Sequence, residues 1–151
     1  TVVMKFLNIV RPDIMYLGQK DAQQAIVLKK MVKDLDMPVK IKVLPTVRER
    51  DGLAMSSRNA YLTPKERVKA VSLYKSLRLA KSLYDGGEER ANIIISRMRG
   101  LLFKTSGVKI DYISVVDSET LTDVRKISGK ALVAIAARIG KTRLIDNIIL
   151  N

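Results

Sequence analysis

The chain has 151 residues, and its 28 Lys and Arg residues outnumber its 15 Asp and Glu residues, giving a formal net charge of +13. It contains no Cys, which excludes disulfides, thiolate metal sites and a cysteine nucleophile, and which fits a reducing cytoplasmic compartment. It contains no His, so the usual general base near neutral pH and the commonest metal ligand are both missing.

The apolar runs and the first residues of the chain indicate whether the protein spans a membrane and whether it is part of a larger protein. No apolar run reaches the roughly 20 residues of a bilayer-spanning helix, so we expect a soluble protein without a membrane partner. The sequence opens at Thr1 directly into apolar residues at helical spacing, from Val2 to Val10. We expect this helix to continue from a larger protein, since no signal-peptide pattern is present.

The first part of the chain predicts strands that alternate with helices. The apolar run Ile14–Leu17, ended by Gly18, predicts a buried strand, and apolar residues at helical spacing predict a helix over about residues 21–35. Pro38 ends that helix, and the alternating residues 39–43 predict a second strand. This order is typical of the end of a parallel α/β sheet.

The rest of the chain predicts a separate, small α+β unit. It begins with an irregular segment, residues 45–59, of a length that is usually functional or disordered. Thr63–Glu66 has the pattern of a capping box with Pro at the first helical position. The pattern predicts helices from there to Tyr84 and over about 88–105, and strands at 110–116, 131–139 and 143–149, the last two joined by a hairpin at Gly140–Thr142. We therefore expect two domains, residues 1–46 and 47–151.

The first candidate site is the tetrapeptide Gly18-Gln19-Lys20-Asp21, between the first strand and its helix. Backbone N–H groups at a helix start favour an anion, Gly18 lets a ligand approach the main chain, and Lys20 adds a full charge. Ligands of open α/β sheets bind at the carboxyl ends of the strands, where these residues fall. A glycine turn with two solvated charges explains the tetrapeptide equally well.

The second candidate site is Met55-Ser56-Ser57-Arg58-Asn59, within the long irregular segment. Two hydroxyls and a guanidinium can donate several hydrogen bonds to phosphate oxygens, and Arg keeps its charge at any pH. Taken alone, the pentapeptide is better explained as a polar surface turn. The long loop also contains residues 47–49 and 51–52. This context favours a flap that closes on a phosphate over a simple surface turn.

Taken together, three segments resemble the C-terminal portion of the pantothenate synthetases, also called pantoate–β-alanine ligases. The segments are Leu17–Gln24, Pro45–Glu49 and Asp51–Asn59, and the ending Arg143–Asn147 agrees with the same family. Their order and spacing extend the similarity over essentially the whole chain. Leu17 is a small departure, because the family commonly has an aromatic residue there.

The resemblance implies adenylate-forming chemistry on a Rossmann-like nucleotidyltransferase domain that is followed by a smaller lid domain. The carboxylate of pantoate would attack the α-phosphate of ATP, carried with Mg²⁺, and the amine of β-alanine would then displace AMP. No metal site of the protein's own is expected, and the full-length enzyme is expected to be a homodimer. Such chemistry needs an oriented carboxylate and neutralised phosphate charge rather than a general base.

The resemblance assigns the residues of the first domain to phosphate, ribose and pantoate. Lys20 would contact phosphate and act as a catalytic residue. Gly18 and Asp21 would hold the ribose of ATP, and Gln24 would bind pantoate.

In the second domain, the resemblance assigns the residues of the long loop to adenine and to phosphate. The main chain at Val47 and the side chain of Met55 would frame the adenine of ATP. Ser56, Ser57 and Arg58 would close on the phosphates as further ATP-binding and catalytic residues.

The family's first half contains a phosphate-binding segment with paired histidines, for which a chain without His has no counterpart. We therefore expect this chain alone to be inactive. The strand Ile14–Leu17 would also lack sheet neighbours, which leaves apolar surface exposed.

Two other classes remain open, a basic nucleic-acid-binding module and a non-catalytic interaction domain. The basic residues are spread along the chain, and two Phe, five Tyr and no Trp give little of the aromatic interleaving typical of single-strand binders. Nucleotide binding is therefore favoured over nucleic-acid binding. A nucleic-acid surface would use the basic residues of the two central helices, which a solvated helical face also explains: Lys65, Lys69, Lys75, Arg78, Lys81, Arg97 and Arg99.

Overall fold

In a computed structural model that describes residues 1–151, the chain contains four α-helices, two short 3₁₀ helices and five β-strands. It divides into two units, Thr1–Thr46 and Val47–Asn151. None of the helices combines the length and the apolar character needed to cross a membrane. The elements are α1 (Val2–Val10), β1 (Ile14–Gly18), α2 (Ala22–Asp34), β2 (Lys40–Leu44), α3 (Pro64–Asp85), α4 (Ala91–Phe103), β3 (Val108–Asp117), β4 (Ala131–Ile139) and β5 (Thr142–Leu150), with 3₁₀ helices at Gln19–Asp21 and Ser57–Tyr61.

The first unit confirms the predicted order of helix, strand, helix and strand. Strands β1 and β2 pair in parallel, with Ile14 opposite Lys40 and Gly18 opposite Leu44. Helix α2 connects them and buries three apolar residues of one face: Ala22, Ala25 and Leu28. A 3₁₀ turn precedes α2, so the α-helix proper starts one residue later than predicted.

The burial that the local pattern of β1 predicts is wrong for this chain, whereas the expected exposure of apolar surface on Ile14–Leu17 is confirmed. Ile14 is 37% exposed and Tyr16 57% exposed. The same face of β2 carries Lys40 and Lys42, and the Lys42 ammonium lies 5.9 Å from the centre of the Tyr16 ring. The strand is apolar in sequence, but burial requires a covering layer, and the elements of this unit leave that face open.

The second unit confirms the predicted α+β arrangement of two helices and three antiparallel strands. Strand β4 lies in the middle of the sheet, paired with β3 and β5. Alternate β4 residues face the helices, as the period of two in a strand requires. They form one buried core with residues of α3 and α4: Ala131, Val133, Ile135, Ala137 and Ile139 from the strand, and Leu73, Leu77, Ile94 and Met98 from the helices.

Two local signals of the sequence are confirmed at atomic detail. Helix α3 begins with the capping box, in which Thr63 Oγ1 accepts from the Glu66 N–H at 3.3 Å and a Glu66 carboxylate oxygen accepts from the Thr63 N–H at 2.9 Å. Strands β4 and β5 form a two-residue hairpin, since Ile139 pairs with Thr142. Gly140 opens that turn with a φ of 58°, a conformation that favours glycine.

Candidate functional site

The first-unit candidates all lie at the carboxyl end of β1. Gly18 ends the strand, Lys20 and Asp21 belong to the 3₁₀ turn, and Gln24 is in the first turn of α2. Lys20 is partly buried, whereas Asp21 and Gln24 are exposed. The φ of Gly18 is −84°, and a Cβ added there would meet no atom within 4 Å. Neither backbone conformation nor packing requires glycine at this position, so space beside the main chain is available to a ligand.

The second-unit candidates lie in a loop that folds back on itself. The Met55 N–H donates to the Val47 carbonyl at 3.0 Å, and Arg48 and Ala54 form an antiparallel bridge between them. Val47 and Met55, predicted to frame one adenine, are therefore neighbours, and their side chains are 66% and 54% exposed. Leu53 is buried, which holds the loop against the core of its unit.

The serine–arginine segment follows directly and forms the 3₁₀ helix Ser57–Tyr61. Ser56 Oγ accepts from the Arg58 backbone N–H at 3.3 Å, which orders the turn. The side chain of Arg58 makes none of the ion pairs of the structure and is exposed, so its guanidinium is available to an anion.

A buried ion pair anchors the loop to β5. Arg48 donates from Nη1 to Asp146 Oδ2 at 2.7 Å and from Nη2 to Asp146 Oδ1 at 3.0 Å, and also donates to the Gly52 carbonyl at 3.0 Å. Its guanidinium lies 4.3 Å from the centre of the Tyr74 ring. Asp146 is 3% exposed, and these donors together with the Asn147 N–H at 2.8 Å satisfy the hydrogen bonding of its buried side chain.

A second ion cluster fastens the same loop to α3. Arg67 contacts Glu49 Oε2 at 2.6 Å and Asp51 Oδ2 at 2.7 Å. Its hydrogen bonds hold the pKa values of both carboxyls below their usual range, and in turn raise the pKa of Arg67, with Asp51 the main cause. The Asn59 amide donates to Glu49 Oε1 at 2.8 Å. These contacts therefore fix the part of the predicted flap that contains Glu49 and Asp51.

An open cleft of about 890 Å³ lies between the 3₁₀ helix, the start of α3 and the β4–β5 turn. Its lining brings the predicted Arg58 together with residues that the sequence did not single out for a site. The principal side chains of the lining are Arg58, Tyr61, Thr63, Glu66, Lys141 and Arg143.

The charges of this cleft are only partly balanced. Asp111 sits at a bulge of β3, where the register shifts between Ile110 and Tyr112, and its carboxylate lies 2.6 Å from Arg143 Nε and 3.5 Å from Arg138 Nε. Those two arginines are direct cross-strand neighbours, and the bulged carboxylate offsets their repulsion. Hydrogen bonds from the Thr63 backbone and side chain lower the pKa of Glu66. Arg58 and Lys141 remain without a carboxylate partner.

Sequence reasoning missed the residues that hold or extend this site. Arg48 and Asp146 are 98 positions apart, and both lie in segments that carried the resemblance, but nothing local marks them as partners. The sequence pattern identifies Lys141 only as a turn residue and Asp111 only as part of a strand. Two adjacent polar residues, Asp146 and Asn147, within the otherwise apolar segment 144–150 are the one sequence signal that draws attention to Asp146.

Each group of predicted residues is brought together within its own unit. The Gly18–Gln24 group occupies one strand end of the first unit, and the Val47–Arg58 group one loop of the second. The first unit has free space beside Gly18, close in sequence to Lys20, and the second unit has a cleft lined by cations. Both features are typical of a protein that binds anionic ligands.

Comparison with known proteins assigns the family. The family model for pantoate-beta-alanine ligase matches residues 1–149, and the chain belongs to this family. The match confirms the resemblance seen in the sequence. No cluster of three or more Asp or Glu residues is placed to hold a metal ion.

Named relatives and solved structures agree with this assignment. The chain is 55% identical over 150 residues to pantothenate synthetase of Thermotoga petrophila and 56% identical over 149 residues to that of Thermosipho melanesiensis; each match covers 99% of this chain, and 54% and 53% of the respective relative. A crystal structure of pantothenate synthetase from Thermus thermophilus matches with a TM-score of 0.92 at 38% identity, covering 98% of this chain and 53% of that one. The chain spans about half the length of the curated relatives it matches, and the structural match confirms the predicted fold class.

Proposed function

We propose that the protein is a ligase that uses ATP to join pantoate to β-alanine. The family match over residues 1–149 carries this proposal. A Francisella tularensis relative, matched with a TM-score of 0.67 at 33% identity over 98% of this chain and 48% of that one, was crystallised with beta-gamma ATP and beta-alanine, which supports both as ligands. The activity is proposed for a protein of the relatives' length, and this chain alone is proposed to be inactive.

The proposed reaction has two steps. The carboxylate of pantoate attacks the α-phosphate of ATP, so that pyrophosphate leaves and pantoyl adenylate forms. The amine of β-alanine then attacks the activated carbonyl, AMP leaves, and the new amide is pantothenate. Mg²⁺ enters with the phosphates of ATP. Neither step needs a nucleophile from the protein, whose task is to orient the reactants and neutralise phosphate charge.

In the first unit, the proposed ligand contacts gather at the carboxyl end of β1. Lys20 contacts phosphate, Gly18 and Asp21 hold the ribose, and Gln24 binds pantoate. The open space beside Gly18 supports this proposal, because a ligand that approaches the main chain needs a position without a side chain. The unit Thr1–Thr46 is proposed as part of the nucleotide-binding domain.

In the second unit, the proposed contacts gather in the anchored loop. The main chain at Val47 and the side chain of Met55 frame adenine, while Ser56, Ser57 and Arg58 close on the phosphates. The hydrogen bond that joins Met55 to Val47 supports a shared role. The unit Val47–Asn151 is proposed as the lid domain, and the full-length enzyme as a homodimer.

The test is pantoate-dependent exchange of labelled pyrophosphate into ATP, which reports adenylate formation without β-alanine. In the full-length protein, Lys20→Ala and Arg58→Ala are each expected to lower the exchange rate by about 10- to 100-fold, the equivalent of one charge-assisted contact. Lys29→Ala is the matched control, since Lys29 is an exposed lysine of α2. Normal adenylate formation by Lys20→Ala would refute the role of Lys20, and absence of exchange in the unaltered protein would refute the function.

A further inference from the structure

Lys141, in the turn between β4 and β5, lines the same cleft as Arg58. The two residues come from elements far apart in sequence, the 3₁₀ helix Ser57–Tyr61 and the hairpin. Neither side chain makes an ion pair, and both are exposed. Two unpaired cations therefore border one concave surface.

The other charged groups of the cleft have partners of their own and form no ion pair with Arg58 or Lys141. Glu66 is occupied by the capping box, where its Oε2 accepts from the Thr63 N–H at 2.9 Å and the Thr63 hydroxyl at 2.8 Å. Arg143 is paired with Asp111. Because Arg143 is offset by Asp111, Arg58 and Lys141 against Glu66 leave an excess of one positive charge in the lining, which favours an anion.

The hairpin that carries Lys141 is closed by the pairing of Ile139 with Thr142 and lies against the side chain of Glu66. Gly140 lies so close to Glu66 that a Cβ added there would overlap the Glu66 carboxylate. The turn therefore packs directly against the first turn of α3. A cation on such a turn needs to order only its own side chain when it binds.

We propose that Lys141 and Arg58 together form a binding site for a diphosphate group, with Lys141 as a contact that the loop residues alone do not provide. The inference rests on the proposed function, in which a diphosphate occurs both as the β- and γ-phosphates of ATP and as the pyrophosphate released. Two cations from separate elements that line one cleft match a ligand that carries charge on two linked phosphates.

The experiment is a titration of the 151-residue chain with inorganic pyrophosphate at low salt, followed by amide NMR. Binding is expected to shift the signals of Arg58 and Lys141, and Lys141→Gln is expected to weaken it at least about tenfold, the lower end for a hydrogen bond between charged groups. Lys141→Arg is expected to retain most of the affinity. Lys130→Gln is the matched control, because Lys130 is exposed and lies at the opposite end of β4.

A second arm distinguishes the two sources of the diphosphate. In the full-length protein, a Lys141→Gln variant that raises the KM for ATP assigns the cleft to bound nucleotide. A variant that weakens only inhibition by pyrophosphate assigns it to the released product. Either result supports the diphosphate site.

The proposal is overturned if pyrophosphate does not bind the unaltered chain, if Lys141→Gln binds it as tightly as the unaltered chain, or if Lys130→Gln loses as much affinity. The last result would show that net charge alone attracts the anion. Because the titration requires no catalysis, its failure leaves the ligase proposal standing, and loss of exchange activity leaves the titration informative.

Discussion

Removing the carboxylate of Asp146 is expected to destabilise the second unit severely. In Asp146→Ala, the guanidinium of Arg48 would keep only backbone acceptors, the carbonyls of Gly52 and Asn147, in a site where its side chain is only 21% exposed. Breaking a buried pair from one side typically costs about 3–5 kcal/mol. Because Arg48 retains some solvent contact and the Tyr74 ring, we expect about 3 kcal/mol.

The assay is urea unfolding of the chain, followed through the amide signals of β4 and β5, so that the second unit is observed by itself. A loss of about 3 kcal/mol corresponds to a urea midpoint lower by about 1–3 M, at an m-value of about 1–3 kcal/mol/M. The matched control is Asp85→Ala, which breaks the exposed Lys81–Asp85 pair and should cost no more than about 0.5 kcal/mol.

A double variant distinguishes the effect of an unpaired buried charge from the effect of lost side-chain volume. Arg48→Met combined with Asp146→Leu replaces the pair with apolar groups of similar size and is expected to recover much of the lost stability. A loss below about 1 kcal/mol in Asp146→Ala would refute the reasoning, because it would mean that the uncompensated guanidinium reaches water without cost.

Two further predictions concern a glycine and a carboxyl of the second unit. Gly52→Ala is expected to lower stability by more than about 1 kcal/mol in thermal unfolding, since Gly52 has a φ of 93° and an added Cβ would overlap the Tyr74 ring. Gly100→Ala, inside α4 with no atom near the added Cβ, should instead stabilise by about 0.5–1 kcal/mol, and equal effects would contradict the reasoning. Hydrogen bonds from the Arg90 side chain and backbone lower the pKa of Glu88 from 4.5 to about 2, so its stabilisation is complete above pH 4.5 and is lost as the pH falls towards 2. Melting temperatures of the unaltered chain and Glu88→Gln should therefore converge over this range, and parallel curves would count against it.

Much of the secondary structure follows from local residues. The capping box at Thr63–Glu66, the glycine that opens the β4–β5 turn and the apolar run of β4 each act within a few positions of the chain, so their signals are visible without a fold. The candidate residues for binding were also found locally, because glycine, lysine, serine and arginine stood in short segments of recognisable spacing.

Local sequence patterns did not predict which residues are buried or which distant residues pair. The apolar residues of β1 predicted burial, but exposure depends on which elements cover the strand. The extra residue at Asp111 appears only when β3 is paired with β4, and this bulge decides which arginines its carboxylate meets.

By itself, the sequence determined the helices, the strands, the family and the segments that carry the proposed chemistry, because propensity, capping and motif spacing are short-range properties. Only the tertiary structure decided that Arg48 would be anchored by Asp146 and that Lys141 would share a cleft with Arg58. Electrostatic energy depends on distance and burial in space, and neither quantity can be measured along the chain.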